Sequence, residues 1–198
     1  MIEKLSKRLT GKLLERNIIS EEYYEVYKYG VEIVISSIIG FLLTVAIGTA
    51  LGMIESSLIY YVIFVSLRKF TGGFHANTYL KCNTVFSVVT TFVLLFSKIS
   101  SLMNLSWFAF ISLYCIAILT FIWLAPVENP NKPIEKKDKK RSKLISIILS
   151  LSLFVLSLLL YINGQILISA VIMYTIFAAA TLCLVTIIPE KGGETNND

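Results

Sequence analysis

The residues of this sequence best suited to covalent chemistry are one cysteine and one histidine. Cys82 and His75 lie seven residues apart, and His75 is the only histidine of the chain. A thiol becomes a strong nucleophile when it ionises, and a neighbouring imidazole can take its proton and later return it to a leaving amine. Three basic residues of the same segment, Arg68, Lys69 and Lys81, would favour the thiolate by Coulomb attraction. The pair therefore predicts nucleophilic catalysis.

The spacing of this pair sets a condition on the chain. On one continuous helix, seven residues place the two side chains on one face but about 10 Å apart along the axis, beyond the roughly 2.6–3.2 Å of a hydrogen bond. The chain must therefore bend between them, or helix ends must bring them together. Gly72 and Gly73 supply flexibility before His75. A non-catalytic interpretation stays open, in which His75 bonds to backbone at an interface and Cys82 fills space at a helix entrance.

The sequence offers little support for a metal centre or a disulfide framework. One histidine, one cysteine and the distant carboxylates of Glu128 and Glu135 make too few ligands for zinc. The other two cysteines, Cys115 and Cys183, lie deep in apolar runs, where a thiol behaves as a small hydrophobe. We therefore expect neither a metal nor a cofactor.

The composition places these residues in a membrane protein. Of 198 residues, 56% are hydrophobic and 16% are charged, against roughly 45–50% and about 25% in soluble domains. This excludes disordered, collagen-like and water-soluble globular classes. We predict an all-α, polytopic helical membrane protein in one domain, residues 1–198, with interfacial helices in 1–29, six spans in 31–188 and a cytoplasmic tail in 189–198. We interpret the net charge of +5 as a signal of membrane topology, because Lys and Arg mark cytoplasmic loops. We expect no nucleic acid partner.

Long apolar runs alternate with short polar breaks and predict about six transmembrane helices. Five runs reach the roughly 20 residues that a span requires. They are Val31–Ile54, Asn83–Met103, Leu105–Ala125, Leu144–Ile162 and Ile166–Ile188. The remaining run, Ser57–Leu67, reaches span length only with Gly52–Ser56, which places Glu55 at its outer end.

Lysine and arginine lie almost entirely on one side of these predicted spans. Six precede the first span, three lie in the loop Arg68–Cys82, seven in the loop Pro126–Lys143 and one in the tail, so 17 of 18 share a side. Lys98 alone approaches the opposite side. Because basic residues are enriched in cytoplasmic loops, we expect both termini and Cys82 to be cytoplasmic in a multi-pass protein of the cell membrane.

The N-terminal segment Ile2–Arg16 predicts an amphipathic helix on the inner leaflet. Its apolar residues recur at helical spacing, namely Ile2, Leu5, Leu9 and Leu13. Ser20 followed by Glu21 and Glu22 predicts the N-cap and acidic first turn of a second helix that runs toward Tyr29. The first helix is interpreted either as a docking element for a partner or as an interfacial anchor that sets orientation.

A dense group of lysines lies between the long runs Leu105–Ala125 and Leu144–Ile162. We name Lys136, Lys137, Lys139 and Lys140 the basic cluster. It lies in the predicted loop Pro126–Lys143 and is interpreted either as a topology signal that contacts lipid headgroups or as a site for an acidic peptide.

Two segments of the chain carry a resemblance to a known family. The first is Arg68-Lys69-Phe70-Thr71-Gly72-Gly73-Phe74-His75-Ala76, followed by Lys81-Cys82. The second is Ala125-Pro126-Val127-Glu128-Asn129-Pro130-Asn131-Lys132-Pro133, which precedes the basic cluster. Together they resemble the accessory gene regulator protein B family, membrane cysteine endopeptidases that process quorum-sensing peptide precursors in Gram-positive bacteria. The resemblance covers nearly the whole chain.

The resemblance implies roles for individual residues. Cys82 would be the nucleophile and His75 its acid/base partner. Arg68 and Gly73 would be required for an active site, with Gly72 as further support. Gly73 suits a place where the backbone turns or approaches a substrate closely. Arg68 would either pair with a substrate carboxylate or extend toward the headgroups as a boundary residue.

The resemblance also implies the substrate. It would be a short precursor peptide with an amphipathic leader, a core that contains a Cys or Ser, and an acidic tail that meets the basic cluster. The enzyme would remove the tail through an acyl-enzyme and close the core into a thiolactone or lactone. Membrane lipids are a further expected partner, and a homodimer is an option.

The alternative class is a non-enzymatic exporter or scaffold for a small peptide. Charges inside the membrane usually mark a transport path. Here they are few and lie near predicted span ends: Glu32, Glu55 and Lys98. This argues against ion-coupled transport, although it leaves passive assistance to peptide exit open.

Overall fold

The structure is a computed structural model that describes residues 2–72, 79–127 and 136–186. Within these ranges the chain forms seven α-helices. They are α1 (Ile2–Glu15), α2 (Tyr24–Ala50), α3 (Ile54–Thr71), α4 (Tyr79–Leu102), α5 (Trp107–Leu124), α6 (Lys136–Ile162) and α7 (Ile166–Val185). A short 3₁₀ turn, Glu21–Tyr23, leads into α2. The predicted all-α class is confirmed.

Three tight turns join consecutive helices and share one backbone motif. In each turn an amide bonds to the carbonyl five residues earlier at 2.7 to 3.0 Å, as Met53 does to Gly48. The residue just before that amide has a positive φ, and these residues are Gly52, Asn104 and Gly164. Glycine and asparagine adopt this conformation at the lowest cost. This motif satisfies the last carbonyls of the preceding helix, so local sequence closes each hairpin.

Helix α7 is the centre of the bundle. Eleven of its 20 residues are buried, and it packs against α3, α4, α5 and α6. A buried hydrogen bond of 2.9 Å between the hydroxyls of Ser157 and Ser169 joins α6 to α7. Large apolar side chains on the outer surface, such as Trp123 at 82% exposed, suit contact with lipid.

Five helices of the described chain are long and apolar enough to cross a membrane. They are α2 with its preceding turn, α4, α5, α6 from Asp138, and α7. Helix α3 is not among them, because its 18 residues include Glu55, Arg68 and Lys69. The shortest of the six predicted spans, Ser57–Leu67, therefore lies in a helix, α3. That α3 crosses the membrane stays a prediction.

Three helices begin earlier than the apolar runs predicted. The basic cluster lies in the first turns of α6, so the predicted loop through Lys143 is wrong. Helix α4 begins at Tyr79 and includes Cys82, which was predicted to lie in a loop. The helix predicted to start after Ser20 does start there, as the 3₁₀ turn Glu21–Tyr23, but it is not a separate interfacial helix, because it continues without a break through Tyr29 into α2. Lysine and tyrosine are compatible with a helix although they interrupt an apolar run.

Helix α1 is confirmed as a helix, and the structure adds the face through which it packs on the protein. It buries Ile2, Ser6 and Thr10 against α2. Leu5 and Leu9 are 45% and 42% exposed. Small side chains let two helices approach closely, so the α1–α2 contact uses Ser6 and Thr10 and leaves the leucines available to lipid.

Candidate active site

The bundle brings several of the candidate residues to one end. Helix α3 ends at Thr71, and the Cys183 thiol near the end of α7 lies 3.9 Å from the Thr71 carbonyl oxygen. Helix α6 runs antiparallel to α7 across the tight turn at 163–165. The start of α6, with the basic cluster, therefore shares this end with Arg68 and Cys82.

Cys82 lies in the first turn of α4. Its side chain is a free, partly exposed thiol. The first four amides of a helix have no partner within the helix, and their partial positive charge favours a thiolate. His75 and Gly73 lie outside the described residues, so their predicted roles stay predictions. The structure shows the Cys82 thiol at a helix start, and its role as the nucleophile stays a prediction as well.

The backbone at the end of α3 pairs with a segment 55 residues further along the chain. The Gly72 amide bonds to the Arg68 carbonyl at 3.1 Å, and the Val127 amide donates to the Thr71 carbonyl at 2.9 Å. Gly72 and Val127 form an isolated parallel bridge. We name this arrangement the Gly72–Val127 clip. It holds the exit of α3 against the chain that follows α5.

The clip requires glycine at position 72. Its φ of 69° and ψ of −142° fall near a backbone region that is essentially restricted to glycine. A Cβ atom at this position would collide with the Val127 carbonyl oxygen and lie 3.1 Å from the Val127 nitrogen. Gly72 is therefore required by the backbone geometry of the clip, and its predicted support of an active site stays a prediction.

The contact between Val127 and Gly72 was not predicted from the sequence. Val127 belongs to the second segment of the family resemblance, and Gly72 belongs to the first. No local pattern indicates that the two segments pair. The one signal was that both belong to the same resemblance. Glu128 and Glu135, the distant carboxylates of the sequence analysis, lie outside the described residues.

Arg68 lies in the last turn of α3 and is half-buried. Its guanidinium carbon is 5.8 Å from the centre of the Phe64 ring, which is within the range of a cation–π contact. Phe64 is itself buried, at 2% exposed. The side chain therefore packs on the protein at the boundary, and its predicted pairing with a substrate carboxylate stays a prediction.

The described part of the basic cluster faces solvent. Lys139 and Lys140 are exposed. All four lysines lie on one helix, α6, within its first five residues. The backbone of α6 therefore places all four cluster residues within the first turns of the helix, at one end of the bundle.

One carboxylate lies beside the start of α4. Glu32 accepts a hydrogen bond from the Tyr79 hydroxyl at 2.6 Å and another from Ser6 at 2.9 Å. Sequence reasoning noted Glu32 only as a scarce charge near a span end. Within the described ranges, no three His, Cys, Asp or Glu side chains gather as they would around a metal ion.

Fold and site together define a polytopic helical membrane protein with a cysteine at a helix start, on the end of the bundle that carries most of the basic residues. The accessory gene regulator B family model matches residues 6–187. The chain belongs to this family, which takes part in accessory gene regulator quorum sensing. The resemblance stated from the two segments is thereby confirmed.

Individual relatives agree with this assignment. A protein of Clostridium perfringens (strain SM101 / Type A) described as "Putative AgrB-like protein" is 31% identical over 193 residues, which cover 93% of this chain and 90% of the relative. One of Halalkalibacterium halodurans with the same description is 29% identical over 203 residues, covering 100% and 99%. Protein FsrB of Enterococcus faecalis is 30% identical over 136 residues, covering 65% and 54%. No solved structure matches this chain.

Proposed function

We propose that this chain is a membrane cysteine endopeptidase that removes the C-terminal tail of an autoinducer peptide precursor and promotes cyclisation of the remaining core. The main observation in support is the partly exposed Cys82 thiol in the first turn of α4. It lies at the end of the bundle that also carries the basic cluster. Membership in a family that takes part in accessory gene regulator quorum sensing is a second observation in favour of such a peptide substrate.

In the first half of the reaction, the His75 imidazole takes the proton of the Cys82 thiol. The thiolate attacks the carbonyl carbon of the bond that joins core and tail. The C–N bond then breaks, the imidazolium returns the proton to the leaving amine, and the core stays on Cys82 as a thioester.

In the second half, the Cys or Ser of the core attacks the thioester carbonyl. Its proton passes to His75, the C–S bond to the enzyme breaks, and the Cys82 thiolate is reprotonated. The ring is thus closed as a thiolactone or a lactone. Because the attacking group is tethered to the acyl carbon, its effective concentration can exceed that of competing water.

The expected precursor fits the charge of this end of the bundle. Its acidic tail would meet the basic cluster, which extends from α6 into solvent at Lys139 and Lys140. Its amphipathic leader would lie in the same membrane interface as α1, whose exposed Leu5 and Leu9 face outward. Both interactions require the active site to be cytoplasmic, as the distribution of basic residues predicts.

A single co-expression experiment tests the proposal. The chain and a precursor are produced together, and tail removal is followed by mass spectrometry. We expect Cys82→Ala to abolish tail removal and Cys115→Ser, a change at an exposed free cysteine, to leave it unchanged. A precursor whose core nucleophile is replaced by Ala should leave a mass adduct on Cys82. Full processing by Cys82→Ala would refute the nucleophile and favour a scaffold or exporter.

A further inference from the structure

Three helices meet at the carboxylate of Glu32. Ser6 of α1 donates to one oxygen at 2.9 Å, and Tyr79 of α4 donates to the other at 2.6 Å. Ser6 is fully buried, and its hydroxyl also lies 3.0 Å from the Glu3 carbonyl oxygen. Both oxygens of Glu32 therefore have a donor from a different helix.

Glu32 is unusual for its position in the chain. It is the only Asp, Glu, Lys or Arg from Val31 to the end of α2 at Ala50, and it is half-buried. A charged carboxylate near the membrane boundary is unfavourable unless it is hydrogen-bonded. The two hydroxyl donors provide such bonds, and bonds to a charged acceptor are stronger than bonds between neutral groups.

The contact with Tyr79 bears directly on Cys82. Tyr79 is the first residue of α4, and Cys82 follows three residues later. Residues three apart on a helix are neighbours on one face. A bond that restrains the Tyr79 hydroxyl therefore restrains the rotation of the turn that carries the thiol. Through Ser6, the same carboxylate joins that turn to the amphipathic helix α1.

We propose that Glu32 is a positioning residue for Cys82. It acts through Tyr79 to set the orientation of the first turn of α4, and through Ser6 it makes that orientation depend on the docking of α1. The inference rests on the proposed function, because it takes Cys82 as the nucleophile.

The test measures two properties of the full-length protein in membranes. The first is the rate at which a water-soluble maleimide alkylates Cys82, with the adduct assigned by peptide mass, since this rate does not depend on a precursor. The second is kcat and KM for tail removal. The variants are Glu32→Gln, Tyr79→Phe and the two combined. The matched control is Glu25→Gln, whose exposed carboxylate, on the same helix, pairs with Lys28.

Losing a hydrogen bond to a charged group predicts a fall of about 10-fold or more in the alkylation rate and in kcat for each single variant. KM should stay within about 2-fold, because the residue acts on the nucleophile and not on binding. The double variant should be no slower than the slower single variant, since both changes remove one interaction. Glu32→Asp should recover part of the loss, and Glu25→Gln should match the wild type.

Two outcomes would overturn the proposal. In one, the double variant loses activity by the product of the two single losses, which would mean that the residues act independently. In the other, Glu32→Gln changes only KM or alters neither property. Glu32→Gln and Tyr79→Phe are both nearly isosteric, so the folded protein should be retained. Ser6→Ala provides a third variant and should give a smaller fall in the alkylation rate and in kcat. Tail removal by Cys82→Ala would instead refute the proposed function and leave the alkylation rates to decide whether Glu32 positions the thiol.

Discussion

Replacing Gly72 with alanine tests whether the Gly72–Val127 clip supports the site. At φ 69° and ψ −142°, a non-glycine residue carries strain of about 1–3 kcal/mol. The new Cβ atom would also meet the Val127 carbonyl oxygen. Relief of that collision moves the two backbone segments of the clip apart and removes the 2.9 Å bond from the Val127 amide to the Thr71 carbonyl. Loss of this bond costs about 0.5–1.5 kcal/mol of folding stability.

Together these effects predict that Gly72→Ala lowers the free energy of unfolding by about 2–4 kcal/mol. For a chain of this size the midpoint of thermal unfolding in detergent should fall by about 5–15 °C. Tail removal should fall by at least about 10-fold at a temperature where the variant is folded, because the exit of α3 is displaced. Thermal unfolding and precursor cleavage are measured on the same preparation.

Gly30→Ala is the matched control for this substitution. Gly30 lies inside α2 with no atom within 4 Å of an added Cβ, and alanine is favoured over glycine in a helix by about 0.5–1 kcal/mol. It should therefore unfold at or slightly above the wild-type temperature. A second control, Val127→Ala, keeps the backbone bond and should retain most activity. Wild-type stability and cleavage in Gly72→Ala would refute the clip as a steric requirement.

Two further predictions concern charge and helix packing. Neutralising all four lysines of the basic cluster should raise KM for an acidic-tailed precursor about 3- to 10-fold and weaken the salt dependence of KM. The control Lys98→Gln, near the opposite end of the bundle, should leave KM unchanged. An unchanged KM in the four-lysine variant would mean that the cluster acts only in membrane topology. Ser157→Ala should lower the unfolding midpoint by about 2–5 °C, since a buried hydroxyl bond between membrane helices contributes about 0.6–1.7 kcal/mol. The control is Ser112→Ala, at an exposed serine whose hydroxyl bonds within its own helix. Equal unfolding midpoints for the two variants would contradict a contribution from the interhelical bond.

Structural features that are set by residues close together in the sequence were predictable. Gly52 and Gly164 interrupt apolar runs where the helices turn. Apolar length located the five long helices, and helical periodicity located α1. Helix starts were harder, because basic residues end an apolar run without ending a helix. The start of α6 at Lys136 and of α4 at Tyr79 are both of this kind.

Features that depend on packing were not predictable. Helix α1 has an apolar stripe that predicts contact with the membrane, but nothing in the stripe indicates that Ser6 and Thr10 make the contact with α2. In a membrane, apolar side chains gain little from burial against protein, while small ones allow close approach. The pairing of Gly72 with Val127 joins residues 55 apart in sequence, and nothing in either segment specifies the other.

Whether α3 crosses the membrane decides the orientation of everything after it. Its 18 residues extend about 27 Å at ~1.5 Å per residue, close to the roughly 30 Å hydrocarbon core. It forms a tight hairpin with α2 and packs along α7. Its buried residues include Ser56, Ser57 and Thr71, so part of its polar surface faces protein rather than lipid. These contacts favour a crossing that composition alone does not indicate.

Single cysteines report this crossing directly. In a background without Cys82 and Cys115, cysteines at exposed Ala50 and Met103 should react with an impermeant maleimide in intact cells. A cysteine at exposed Glu22 should react only after lysis, because it lies with the basic residues on the predicted cytoplasmic side. If α3 does not cross, the first two positions fall on opposite sides, and labelling of only one of them would refute the six-span topology.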